Sequence, residues 1–107
     1  MKVSVCIATF NGEDFVAEQL RSILSQLRSS DEVIISDDMS TDSTLKIVAQ
    51  FRDRRIKVIS GKKFSSPKRN FENALKHATG DLIFLSDQDD YWLPKKVEIM
   101  SYFLQTS

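Results

Sequence analysis

Apolar residues recur along this chain with two different periods. From Lys2 to Phe10 (KVSVCIATF), Val3, Val5 and Ile7 occupy every second position, which predicts a strand. From Asp14 to about Arg28 they stand at Val16, Leu20, Ile23, Leu24 and Leu27, one face of a helix. Glu32 to Ser36 carries the unbroken run Val33-Ile34-Ile35, the pattern of a strand buried on both faces. Asp42 to about Asp53 reads as a helix on Leu45, Val48 and Ala49, with Ser40, Thr41 or Asp42 as its N-cap. Arg55 to Ser60 is a third strand. Ser66-Pro67 sets a capping hydroxyl before a proline in the first helical position. Phe71, Ala74, Leu75 and Ala78 give that helix its buried stripe, and Gly80 is expected to end it in a left-handed conformation. Asp81 to Ser86 is a fourth strand, and Pro94 opens a last helix striped by Leu93, Val97, Met100 and Leu104.

The order βαβαβαβα predicts an α/β fold: a mostly parallel sheet of about four strands between two helical layers, in the Rossmann-like manner. Sheets of this kind take ligands at the carboxyl ends of their strands, near the reversal in strand order. Three polar motifs fall on that edge. Thr9-Phe10-Asn11 follows the first strand, Asp37-Asp38 the second, and Asp87 to Asp90 the fourth. With no linker, repeat or low-complexity stretch, residues 1–107 are expected to form a single domain.

Composition narrows the function. The 107 residues hold 15 basic and 15 acidic side chains, a formal net charge of zero. That balance argues against wholesale binding to nucleic acid or to an anionic membrane. The single Cys6 lies in an apolar run with no basic neighbour to activate it, so it reads as a core residue. No apolar run approaches the roughly 20 residues of a membrane span and no leader pattern opens the chain, so a cytoplasmic location is expected.

The candidate chemistry is acidic. Three carboxylates sit within Asp87-Gln88-Asp89-Asp90, and such a group needs a positive partner. Asp87 and Asp89 point the same way if the chain stays extended. Hard oxygen ligands of this kind favour Mg²⁺ or Mn²⁺, ions that keep coordination sites for phosphate. Asp90 has the competing task of capping the helix at Pro94. In Asp37-Asp38, the Asp38 carboxylate can accept the N–H of a pyrimidine base, or else the pair caps the following helix; base or ribose recognition by at least one of them is favoured. Phe10 can stack on a flat base or pack in the core. Residues 61–71 contain Lys62, Lys63, Lys68 and Arg69 and no acid. Cations in the first turn of a helix run against its dipole unless an anion lies between them, which favours Arg69 as a phosphate contact. His77 has no metal-ligand partner and reads as a surface residue; Trp92 reads as a packing anchor or as part of the lining of an acceptor site.

Taken together, Val3 to Glu13 (VSVCIATFNGE), Glu32 to Thr44 (EVIISDDMSTDST), Arg69 to Leu75 (RNFENAL) and Gly80 to Trp92 (GDLIFLSDQDDYW) resemble the successive signatures of family 2 glycosyltransferases. The Ser-Asp-Gln-Asp-Asp-Tyr-Trp variant is most similar to the rhamnosyltransferase-type members. The resemblance implies a GT-A fold and inverting transfer of a hexosyl group from a UDP- or dTDP-linked sugar to a glycan or lipid-linked acceptor in cell-envelope polysaccharide synthesis. It implies a nucleotide-sugar site built from Thr9, Phe10, Asn11, Glu13, Asp37, Asp38, Arg69, Asp87 and Gln88, with Asp89 and Asp87 on the metal. In the family the general base lies in a later, acceptor-binding half, so no catalytic base is assigned within these residues and one is expected beyond Ser107. The chain is therefore expected to be the donor-binding half, to bind donor with little or no transfer, to work at the cytoplasmic face of the membrane in a longer protein, and to self-associate through an exposed edge strand.

Other readings meet specific obstacles. A nucleotidyltransferase wants a Gly-rich loop after the first strand, where this chain has only Gly12. A response-regulator receiver wants its acidic pair there. A non-catalytic nucleotide-binding or interaction module of the same fold remains the alternative.

Overall fold

The computed structural model describes residues 1–87. They form β1 (Val3–Thr9), α1 (Val16–Leu24), β2 (Glu32–Asp37), α2 (Thr44–Gln50), β3 (Ile56–Ile59), α3 (Pro67–His77) and β4 (Leu82–Asp87). All pairings are parallel, in the order β3-β2-β1-β4. The helix expected from Pro94 lies outside the described residues, as do Gln88, Asp89, Asp90, Trp92 and the chain end at Ser107.

The sheet divides two unequal cores. Val3, Val5 and Ile7 of β1 and Val33 and Ile35 of β2 face Val16, Leu20, Ile23 and Leu27 and Val48 of α2. On the opposite face Cys6 and Ile34 meet Ala74 of α3. β2 is buried along its whole length, as an apolar run in a parallel sheet should be. The Cys6 thiol has a pKa pushed up to about 11 by burial and by the nearby charge of Glu32, which suits an inert core residue.

Several local expectations are corrected. The inner stripe of α2 is Thr44, Ile47, Val48 and Phe51, and Ala49 is exposed. Its N-cap is Ser43, yet the accepting group is Asp42, which takes the Thr44 N–H at 2.9 Å. Gly80 is not left-handed: α3 ends on Ala78 in an extended conformation, and Gly61 is the described glycine with positive φ. Gly80 is needed for space instead, since a Cβ there would stand 2.5 Å from Ser4 Oγ and 2.8 Å from Ser4 N. Leu75 of α3 is exposed, and the buried face of that helix is led by Asn70 and Ala74.

A charge closes the amino-terminal edge of the sheet. Glu32 is 2% exposed and collects donors from three residues. Ser4 Oγ donates at 2.6 Å, Thr79 N at 2.7 Å, Thr79 Oγ1 at 3.0 Å and Lys57 Nζ at 2.8 Å. Burial works to raise the Glu32 pKa, but these hydrogen bonds outweigh it and bring it down to about 2. Behind α1, Arg55 donates to the Leu24 and Leu27 carbonyls and to Asp53, whose pKa its guanidinium lowers to about 2.

A carboxylate depressed on folding stabilises the protein above its unfolded pKa and loses that stabilisation as pH falls toward its folded one. Stability should therefore decline between about pH 4.5 and pH 2. Glu32→Gln should lose on the order of 2–3 kcal/mol at pH 7. Its acid decline should be shallower, with the Asp53 share remaining. Urea unfolding of both proteins across that pH range measures this.

Candidate functional site

β1 is the point where the strand order reverses. Crossovers through α1 and α2 lie on one face of the sheet and α3 returns on the other, so the loops after β1 and β2 part from the loop after β3 above the carboxyl edge. A cleft of about 580 Å³ opens there. Its floor is Ala8, Thr9 and Phe10 at the end of β1, Asp38 stands beside them, and Lys63, Ser65, Ser66, Pro67, Asn70 and Phe71 form the far wall. Phe10 is 51% exposed at the edge of this cleft.

Two buried groups hold this floor. Asp37 is wholly buried; Oδ1 accepts from Thr9 Oγ1 and Ser40 Oγ, both at 2.6 Å, and Oδ2 accepts from Ser40 N at 2.8 Å. Asn70 donates to the Thr9 carbonyl at 3.2 Å and accepts from Ser36 Oγ at 2.6 Å, which fixes α3 against β1 and β2.

The loops after β1 and β2 are then laced together. Asn11 N donates to Ser40 Oγ at 2.9 Å, Gly12 N to Thr44 Oγ1 at 2.9 Å and Glu13 N to Asp42 Oδ2 at 3.2 Å. In return Thr41 N donates to Asn11 Oδ1 at 2.8 Å and Ser43 N to Glu13 Oε2 at 2.9 Å. Asn11 and Met39 both take left-handed backbone, with φ of 50° and 52°, to make the turns.

The fold thus sorts the residues grouped by sequence. Thr9, Phe10 and Asp38 line the cleft. Asp37, Asn11 and Glu13 do not; their oxygens are engaged in holding the loops. Arg69 lies in a neighbouring depression of about 300 Å³ with Lys62, Lys63, Phe64, Glu72, Asn73 and Lys76, and Lys63 alone reaches both. The β4 register sets Asp87 beside Ala8, on the same sheet edge, while Gln88 and Asp89 fall outside the described residues. The general base expected beyond Ser107 falls outside them too. Among the described residues no group of three acids, histidines or cysteines could hold a metal.

Sequence reasoning missed Asn70, Ser65, Ser66 and Phe71 as parts of the site. The Ser66 cap signal placed the start of α3 correctly, with Ser66 Oγ accepting Arg69 N at 3.4 Å, but nothing in the pattern says that this helix end roofs the β1 strand end.

Residues 4–106 match the family model described as "Glycosyl transferase family 2". The chain belongs to that family. It is 38% identical over 99 residues to the dTDP-rhamnosyl transferase RfbG of Shigella flexneri, covering 86% of this chain and 34% of RfbG. The crystal structure of Staphylococcus aureus TarS 1–349 in complex with UDP superposes with a TM-score of 0.91 at 34% identity, over 99% of this chain and 32% of that one. The mannosyltransferase PcManGT of Pyrobaculum calidifontis, in complex with GDP-Man and Mn²⁺, gives 0.81 at 26% identity, over 90% and 30%. The fold is therefore that of the GT-A glycosyltransferases. The chain spans 34–41% of the length of three curated relatives.

Asp37→Ala should strand the donors of Thr9 and Ser40 in a buried setting, at a cost of about 3 kcal/mol. Equilibrium urea unfolding against the wild type measures the loss.

Proposed function

We propose that this chain supplies the donor-binding part of an inverting hexosyltransferase that uses a UDP- or dTDP-linked sugar. The observation that carries the reading is the cleft itself. In a family 2 chain, it joins an exposed aromatic ring, Phe10, to a carboxylate, Asp38, at adjacent parallel strand ends. A flat base stacks on the ring, and an acceptor-only carboxylate selects a base with an N–H to give, as uracil and thymine have. The UDP bound to TarS and the dTDP-sugar in the name of RfbG support this donor class.

The diphosphate then runs along the sheet edge toward the end of β4, where Asp87, Gln88 and Asp89 follow one another in sequence. Asp87 and Asp89 are the proposed ligands of Mg²⁺ or Mn²⁺, a reading supported by their hard oxygen donors and by the Mn²⁺ in PcManGT. The ion would neutralise charge building on the departing diphosphate. Arg69, in the depression beyond Lys63, is a less direct phosphate contact than the sequence suggested.

Asp38 is the one carboxylate lining the cleft among the described residues, and it is engaged at the base end. Among residues 1–86, no second acid lines the cleft beside it. This supports donor binding as the share of these residues, with acceptor binding and the general base supplied by a part of the enzyme beyond Ser107. An acceptor that is a glycan or a lipid-linked saccharide, met at the cytoplasmic face of the membrane, fits this assignment. No described helix is long and apolar enough to cross a membrane.

Calorimetric titration with UDP and with dTDP, with and without Mn²⁺, tests the reading. At least one nucleotide should bind, more tightly with the metal, and Phe10→Ala should weaken it about tenfold or more. Failure of both nucleotides to bind would favour a non-catalytic interaction module.

A further inference from the structure

Part of the far wall of the cleft is a loop, and few hydrogen bonds hold it. Residues 60–66 link β3 to α3 and contribute Lys63, Ser65 and Ser66 to the wall. Gly61 and Ser65 both have positive φ, at 91° and 55°, so the segment bends sharply at each end. Among the described residues, 61–65 make a single hydrogen bond: Phe64 N donates to Asp38 Oδ1 at 2.6 Å. The Lys62 ammonium, 5.8 Å from the centre of the Phe64 ring, adds a weak contact within the loop itself.

Asp38 can hold this loop because its own backbone is fixed. Asp38 N donates to the Thr9 carbonyl at 2.9 Å, which continues the β1–β2 ladder one step beyond Asp37. Its carboxylate is nearly buried, and Oδ2 makes no hydrogen bond among the described residues. The two oxygens are thus differently placed, one committed to the loop and one left for a donor presented from the cleft.

We propose that Asp38 is a positioning residue: through Phe64 it sets the β3–α3 loop as the wall of the cleft, and it does so with the oxygen that is not the one assigned to the base. The wall therefore depends on the residue that recognises the base. The second half of this statement rests on the nucleotide reading of the cleft; the first half does not.

Two substitutions separate the halves. Asp38→Asn keeps an Oδ1 acceptor for Phe64 N–H but replaces Oδ2 with a donor. Asp38→Ala removes both. Hydrogen exchange at the Phe64 amide and UDP affinity are measured in the whole chain. Asp38→Ala should speed Phe64 exchange about tenfold or more, and Asp38→Asn should restore it to near the wild-type rate. UDP binding should weaken about tenfold or more in both variants. Unchanged Phe64 exchange in Asp38→Ala overturns the positioning role. Exchange that behaves as expected while Asp38→Asn binds UDP like the wild type upholds the positioning role and overturns the base contact. If Asp38→Ala does not fold, Asp38→Leu, which fills the volume without an acceptor, makes the same comparison.

Discussion

The carboxylate of Asp37 is the constraint on which the functional edge depends. It is fully buried at the end of a strand with apolar neighbours, and it is tolerated because three donors meet it. Removing it would leave those donors unmatched in a site with little water to replace them. Because two of the donors come from Ser40 and one from Thr9, the same carboxylate draws the loop after β2 onto the end of β1. The lacing by Asn11, Glu13 and Asp42 builds on that first contact. Phe10 and Asp38 face one cleft because the residues between and beside them are pinned.

β2 carries a comparable charge at its other end. Glu32 ties β1, β3 and the turn before β4 at the amino-terminal edge. The two carboxylates share a logic: each is buried, each is saturated with donors, and each joins segments distant in sequence. Their outlooks differ. Around Glu32 the network closes on itself, whereas around Asp37 it leaves Asp38, its neighbour, facing open space. Rigidity on one side of a residue pair thus supports recognition on the other.

The order of the seven described elements and the edge that carries the cleft were legible in the sequence, because strand and helix periods differ plainly and parallel sheets bind at one edge. The division of labour within the edge was not. Asp37 and Asp38 are chemically identical neighbours, and one turns inward while the other lines the cleft, a consequence of strand alternation that depends on which face α3 covers. Asn11 and Glu13 belong to the family-like motif, yet their side chains serve the loop, and only coordinates distinguish a motif residue that supports from one that touches. The buried stripe of α2 was displaced because Ile47 and Phe51 pack inward where Ala49 was expected. Gly80 was assigned a conformational task when its task is steric, since the pattern of one chain segment cannot show that Ser4 lies against it. Glu32 left a faint signal, an acid opening an apolar run with lysines at the start of one neighbouring strand and within the other.

The account turns on where a nucleotide sits, and amide chemical shifts during a UDP titration with Mn²⁺ report that most directly. Shifts should concentrate at residues 8–10, at Asp38 and along residues 63–71, and should leave Glu32 and Thr79 at the opposite edge undisturbed. Shifts centred on that opposite edge, or none at the cleft under saturating nucleotide, would contradict it.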